Sequence, residues 1–327
     1  MSTEPNHGLL EQISRLRCAV GSGAVAGFFN GLSQVGRLSP RADPSKHGVM
    51  VVRDLPYLTD GHPQHRLDVY VPRRLPSPRP ALLYLHGGGF RILSKATHWA
   101  MALAFARQGF VVFNADYRLA PAHPFPAAIE DACAAYRWVI NNAARWGGDT
   151  NRLVVAGESA GANLTTALTI ATCFERPEPY ARSVFETGVV PRAALPACGL
   201  LQASSPERFL RNEALMPLIA DRILAVSEGY LPDTNGDPQR YALADPLVIL
   251  EGVEKPVRPL PPFQAIVGDV DPIVDDSIRL GAALRARDVP VEVRTYRNQG
   301  HAFHAYMWRP EAKQAWRDTF GFLDRHL

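Results

Sequence analysis

Long hydrophobic runs, patterned cysteines and an excess of charge of one sign are what this sequence lacks. The most apolar early run, Cys18 to Phe29, is too short and too glycine-rich to cross a bilayer, which excludes stable membrane insertion through it. Arg15 and Arg17 precede that run as in a secretion signal. The long leading segment with Glu4 and Glu11, and the want of a clean small-residue cleavage site, argue against one, so a soluble cytoplasmic protein is expected. The four cysteines, Cys18, Cys133, Cys173 and Cys198, form neither a C-x-x-C pair nor zinc spacing. Free thiols in a reducing compartment, with no metal, are expected. Lys plus Arg is 35 against Asp plus Glu 32, a balance that recruits no nucleic acid. There are no internal repeats. What the chain has in quantity is proline, 28 residues in 327, which predicts many connections with fixed entry angles.

The strongest local pattern is Val154-Val155-Ala156-Gly157-Glu158-Ser159-Ala160-Gly161-Ala162-Asn163. A short β-branched run reaches a serine between two glycines, and alanine-rich sequence at helical spacing follows. This reads as strand, sharp turn and helix, with Ser159 at the apex. Gly157 and Gly161 stand where a Cβ has no room, and the helix N-terminus points its unpaired N–H groups at whatever the serine attacks.

The rest of the chain alternates around that turn. Residues 1–47 carry Leu9, Leu10, Ile13 and Leu16 at helical spacing and are expected to be helices of a cap. Val49–Leu55 and Arg66–Val71 predict an antiparallel hairpin at a sheet edge. Buried strands are expected at Ala81–Leu85, Phe110–Asn114, Leu153–Ala156, Leu195–Gln202, Phe263–Val267 and Val291–Tyr296. Helices are expected over Thr97–Arg107, Pro126–Trp146, Asp276–Arg287 and Pro310–His326. Strands alternating with helices imply a mostly parallel, doubly wound sheet with right-handed crossovers. Residues 206–255 interrupt the alternation and read as an inserted helical cap, dividing the core into 48–205 and 256–327.

Ligands of an open α/β sheet sit beyond the carboxyl ends of its strands. Three such ends carry chemistry: Ser159, the stretch Gly268–Asp275, and Asn298–His304 with His301. A serine hydroxyl needs a base to take its proton, imidazole suits that role, and a carboxylate on the far ring nitrogen fixes the tautomer. Ser159, Asp271 and His301 follow one another in the order Ser, Asp, His.

Together, His86-Gly87-Gly88-Gly89-Phe90, Tyr117-Arg118-Leu119-Ala120-Pro121, His123-Pro124-Phe125-Pro126-Ala127, Gly157-Glu158-Ser159-Ala160-Gly161, Asp271-Pro272 and His301-Ala302-Phe303 resemble the hormone-sensitive-lipase-like family of α/β-hydrolases, in its microbial esterase branch. The resemblance covers residues 48–327. It implies an α/β-hydrolase fold with a helical cap, a carboxylic-ester hydrolase activity and no cofactor. The family pattern favours Asp271, which precedes a proline, over Asp269, and His301 over His304. The family commonly has Asp where Glu158 stands.

The glycine run has a physical reason of its own. Fixed N–H donors aimed at a tetrahedral oxyanion lower the barrier by roughly 2.7–4 kcal/mol each, and backbone approaches that closely only without side chains. The N–H groups of Gly88, Gly89 and Ala160 are assigned to this hole. His86 reads as a brace for the loop, and Asp275 or Asp276 as a cap for the following helix. Phe90, Leu215 and Phe303 are candidates to line the substrate pocket, with Phe28, Phe29, Trp99 and Met216 beside them. The expected reaction is hydrolysis of small, soluble, short- to medium-chain acyl esters through an acyl-enzyme. The same machinery acting on amides, lactones or acetylated sugars, and a non-catalytic receptor on this fold, are the alternatives. The exposed edge strand of such a sheet is a surface through which a homodimer could form.

Overall fold

The apolar runs become strands of one sheet. The computed structural model describes residues 30–73, 76–211, 217–231 and 238–327, with Gly23 and Gly27. Most of the expected N-terminal helices, Leu215, Met216 and the link 232–237 lie outside the described residues. Among these, the sheet has eight strands in the order β1-β2-β4-β3-β5-β6-β7-β8. They are β1 (Val49–Pro56), β2 (Arg66–Pro72), β3 (Arg79–Leu85), β4 (Val111–Ala115), β5 (Gly148–Glu158), β6 (Ala193–Ala197), β7 (Phe263–Gly268) and β8 (Val291–Tyr296). The β1–β2 hairpin and the β2–β4 pair are antiparallel, and every other neighbouring pair is parallel.

Alternation along the strands assigns each side chain to one of two apolar layers. Leu83, Val111, Phe113 and Val155 face the larger layer with Ile129, Tyr136, Leu164 and Leu168. Leu82, Tyr84, Val112 and Val154 face the other, with Met101, Phe105 and Phe322. The helices that cover these faces include α2 (Trp99–Arg107), α3 (Ala127–Asn142), α4 (Ala160–Cys173) and α9 (Pro310–His326). Every residue of α4 is buried, because the helix runs through the middle of the larger layer. Helical residues 30–37 (α1) dock on the other side, where Arg37 Nη2 donates to the Ala96 carbonyl at 2.8 Å and Trp99 Nε1 to Ser33 Oγ at 3.1 Å.

Two expectations change. The strand expected over Leu195–Gln202 is β6, which starts at Ala193 and ends at Ala197. Cys198 leaves it in a left-handed conformation (φ 41°), and the N–H groups of Leu201 and Gln202 donate to Asp276 instead of a ladder partner. Within 206–255, α6 (Pro217–Tyr230) stands at the carboxyl ends of the strands. By contrast, α7 (Pro246–Glu251) packs on α4 and on α8 (Val274–Arg285), with Leu247 and Leu250 in the main core. Neither α7 nor the short α5 (Pro179–Phe185) is read from periodicity, although each opens on a proline suited to the first helical turn. Among the described residues, no helix is long and apolar enough to cross a membrane. Cys133, Cys173 and Cys198 are buried and free.

Candidate active site

The turn after β5 sets Ser159 at φ 55°, ψ −113°, a conformation few side-chain-bearing residues adopt. It survives because the neighbouring backbones close around it. A Cβ on Gly157 would strike the Gly161 carbonyl, and one on Gly161 the carbonyls of Leu85 and His86. The Ser159 N–H donates to Ala197 O at 2.9 Å, which ties the apex to β6.

Asp271 and His301 arrive from the loops after β7 and β8. Asp271 is 2% exposed, and its Oδ1 accepts the Ile273 N–H at 3.0 Å. Its Oδ2 lies 2.8 Å from His301 Nδ1, and His301 Nε2 lies 3.0 Å from Ser159 Oγ. A carboxylate accepts only, so Nδ1 carries the proton and Nε2 is left to accept one from the hydroxyl. Burial alone would push this imidazole down. The charge of Asp271, its hydrogen bond and the charge of Glu158 outweigh burial and raise His301 to about 9. The ring is 37% exposed toward the cavity, where water screens part of that charge.

The competing acids do other work or none. Asp269 and Asp275 are exposed. Asp276, expected as a helix cap, is instead buried within the first turn of α8, where it accepts from Arg208 Nη2 at 2.7 Å and from the Leu201 N–H at 2.7 Å. Asp131 is buried on α3 and takes three hydrogen bonds from the Arg118 guanidinium.

The glycine run curls over the serine. Gly88 (φ 117°) and Gly89 (φ 60°) both use left-handed backbone, and the Gly88 carbonyl accepts the N–H groups of Arg91 and Ile92, each at 3.1 Å. No acceptor among the described residues takes the N–H groups of Gly88, Gly89 or Ala160. His86 stacks on Tyr117 with centroids 4.2 Å apart, its Nδ1 sits 2.7 Å from the Gly87 carbonyl, and burial holds it near 3. It is a neutral brace and no base.

A cavity of about 400 Å³ opens beside the serine, bounded by Ser159, His301, Gly88 and Gly89 on the strand side. Its far wall is mostly aliphatic: Ile219, Ile223 and Val226 of α6, with Leu93, Leu200 and Ile273, while Arg222 of the same helix also lines it. Of the described aromatic candidates, Phe90, Trp99 and Phe303 do not line it, and Phe28 and Phe29 lie outside the described residues. Phe90 is fully buried and stacks on Tyr230 with centroids 3.7 Å apart, and Phe303 is 3% exposed and packs on Tyr296. Large rings next to backbone motifs are drawn into the core, whereas the wall belongs to aliphatic residues at 219, 223 and 226, one face of a helix. That spacing was the available signal.

Cys198, Asp271 and His301 bring possible ligand atoms within 4.8 Å of one another. Asp271 and His301 are engaged with each other through the proton on Nδ1, an arrangement that suits proton transfer better than ligation. A serine in line with an imidazole and a buried carboxylate, at the carboxyl edge of a mostly parallel sheet, defines the serine hydrolases of the α/β type.

The family model described as alpha/beta hydrolase fold matches residues 82–305. Esterase LipI of Mycobacterium tuberculosis is 35% identical over 244 residues, which is 73% of this chain and 70% of that protein. Carboxylesterase NlhH of the same species is 33% identical over 76% of this chain and 73% of its own length. A crystal structure of an esterase from the bacterial hormone-sensitive lipase family superposes with a TM-score of 0.73 at 25% identity, covering 100% of this chain and 99% of that one. The chain belongs to the α/β-hydrolase family, in its hormone-sensitive-lipase-like branch.

Proposed function

We propose that this carboxylesterase cleaves short- to medium-chain acyl esters through an acyl-enzyme on Ser159. The observation that carries the reading is the continuous line Ser159 Oγ, His301 Nε2, His301 Nδ1, Asp271 Oδ2, with steps of 3.0 and 2.8 Å, opening on an apolar cavity. Ser159 Oγ attacks the ester carbonyl while His301 Nε2 takes its proton. The charge that develops on the carbonyl oxygen meets the N–H groups of Gly88, Gly89 and Ala160. His301 gives its proton to the departing alkoxide, and a water then attacks the acyl-enzyme with the same base assisting. Asp271 remains ionised, keeps Nδ1 protonated and offsets the positive charge of the imidazolium.

The aliphatic wall of α6 matches an acyl chain of a few carbons, and a 400 Å³ space is at the small end for ligand pockets. The test is turnover of p-nitrophenyl esters from acetate to decanoate. Wild-type protein is expected to prefer the shorter members, and Ser159→Ala to lose turnover on all of them. Wild-type rates in the alanine variant would refute the mechanism.

A further inference from the structure

A second carboxylate–imidazole contact lies directly behind the first. Glu158, the residue before the serine, is 6% exposed, and its Oε2 lies 3.2 Å from Nε2 of His304, itself 3% exposed. Glu158 Oε1 lies 3.7 Å from His98 Nε2. That nitrogen accepts the Gly87 N–H at 3.2 Å, while His98 Nδ1 sits 3.2 Å from the Ser94 carbonyl. His98 is therefore the Nδ1–H tautomer, and it presents a lone pair, not a proton, towards Glu158. The imidazole set against the carboxylate is that of His304, at 3.2 Å; this is a charge contact, since Oε2 has no hydrogen-bond partner among the described residues.

These three side chains come from the three segments that hold the reacting groups. Glu158 belongs to the serine turn, His304 to the loop that carries His301, and His98 to the segment that fixes Gly87 at the start of the glycine run. Room for the carboxylate is itself built in, since a Cβ on Gly87 would come within 3.0 Å of Glu158 Oε1. A charged group is buried at such a junction only when it is paired.

We propose that Glu158 is a positioning residue whose buried carboxylate, held against His304, registers the serine turn to the histidine loop and keeps a negative charge behind His301. The inference rests on the proposed role of His301 as base. Burial would raise the Glu158 carboxyl; the His304 imidazole beside it outweighs burial and holds the group below the usual carboxylate range. The titratable groups facing Glu158 are His98, His304 and His301, His86 behind His98, the phenols of Tyr84 and Tyr117, and the Cys198 thiol. Burial pushes both phenols and the thiol up, so they stay neutral, and His86 is held near 3. Removing the Glu158 charge thus takes away support for the protonated form of His301.

The experiment is the pH profile of kcat/KM for wild type, Glu158→Gln and Glu158→Asp on one p-nitrophenyl ester. The glutamine variant keeps the shape and loses the charge. Its ascending limb is expected to move to lower pH by on the order of one unit, with a lower plateau kcat and a KM little changed. The aspartate variant is expected to keep the wild-type midpoint. A glutamine profile that superposes on wild type, or an aspartate variant displaced as far as the glutamine one, would overturn the proposal. If the glutamine variant does not fold, His304→Gln takes its place, with kcat expected to fall on the order of tenfold or more at near-constant KM, and an unchanged kcat counting against the brace. Wild type without esterase activity would instead refute the proposed function, so the two failures are distinct.

Discussion

The floor of the cavity and its far wall are built on opposite plans. On the floor, each reacting group is fixed by backbone closure or a buried hydrogen bond: Ser159 by Gly157, Gly161 and the Ala197 carbonyl, Asp271 by the Ile273 N–H, His301 by Asp271. The wall presents chiefly Ile219, Ile223 and Val226, aliphatic side chains that bring surface and shape, with Arg222 beside them. Chemistry needs groups held within fractions of an ångström, whereas recognition of an acyl chain needs only a complementary apolar volume. Floor substitutions should therefore act on kcat for every ester, and wall substitutions should change which ester is preferred.

The two regions touch along the glycine run. Val226 Cγ2 would come within 2.5 Å of a Cβ on Gly89, the Phe90 ring stacks on Tyr230 at the end of α6, and Arg91 Nη1 donates to the Ala225 carbonyl at 2.5 Å. The wall helix is thus fastened to the glycine run.

The largest effect expected is from Ser159→Ala, a loss of kcat on the order of 10⁶-fold with the fold and KM retained, measured by steady-state hydrolysis. Asp271→Asn follows, at about 10⁴-fold, because the amide can donate to Nδ1 and turn the imidazole to the wrong tautomer. Gly88→Ala should cost kcat on the order of 10² to 10³-fold. The methyl would meet the Ile92 carbonyl and the backbone φ of 117° disfavours it, so the donor is displaced. Wild-type kcat/KM should rise with pH, because only neutral His301 accepts the serine proton. Asp271 moves that midpoint upward from the ordinary 6.5 toward 9, so a profile centred below 6.5 would break the electrostatic account. Val226→Ala, the smallest, should shift preference toward longer or branched acyl chains by about tenfold in the ratio of kcat/KM values, with kcat on acetate nearly unchanged.

How much of this could be read beforehand follows the same division. The floor is spelled out in residues that tolerate no substitute: two glycines around a serine, a glycine run after a buried strand, an Asp-Pro and a Gly-His at two further strand ends. Continuous apolar runs such as Leu82–Leu85 and Phe110–Phe113 likewise announced strands covered on both faces. β6 was misplaced because Ala-Ala-Leu-Pro-Ala has no β-branched residue and carries a proline at its fourth position, so only its neighbours β5 and β7 make it a strand. The wall was misread because an aromatic beside a motif carries no mark of which way it faces, and Phe90 and Phe303 turned inward. Glu158 looked like a one-methylene change from the family's Asp. Its meeting with His304 joins residues 146 positions apart in number, a contact that no local pattern encodes.

The central claim is that Ser159 is the nucleophile, and covalent trapping tests it most directly. After treatment of the wild-type chain with a fluorophosphonate, peptide mass spectrometry should find one stoichiometric adduct, on Ser159, in step with loss of ester hydrolysis. Full hydrolysis persisting with Ser159 unlabelled, or an adduct on another residue that abolishes turnover, would contradict it.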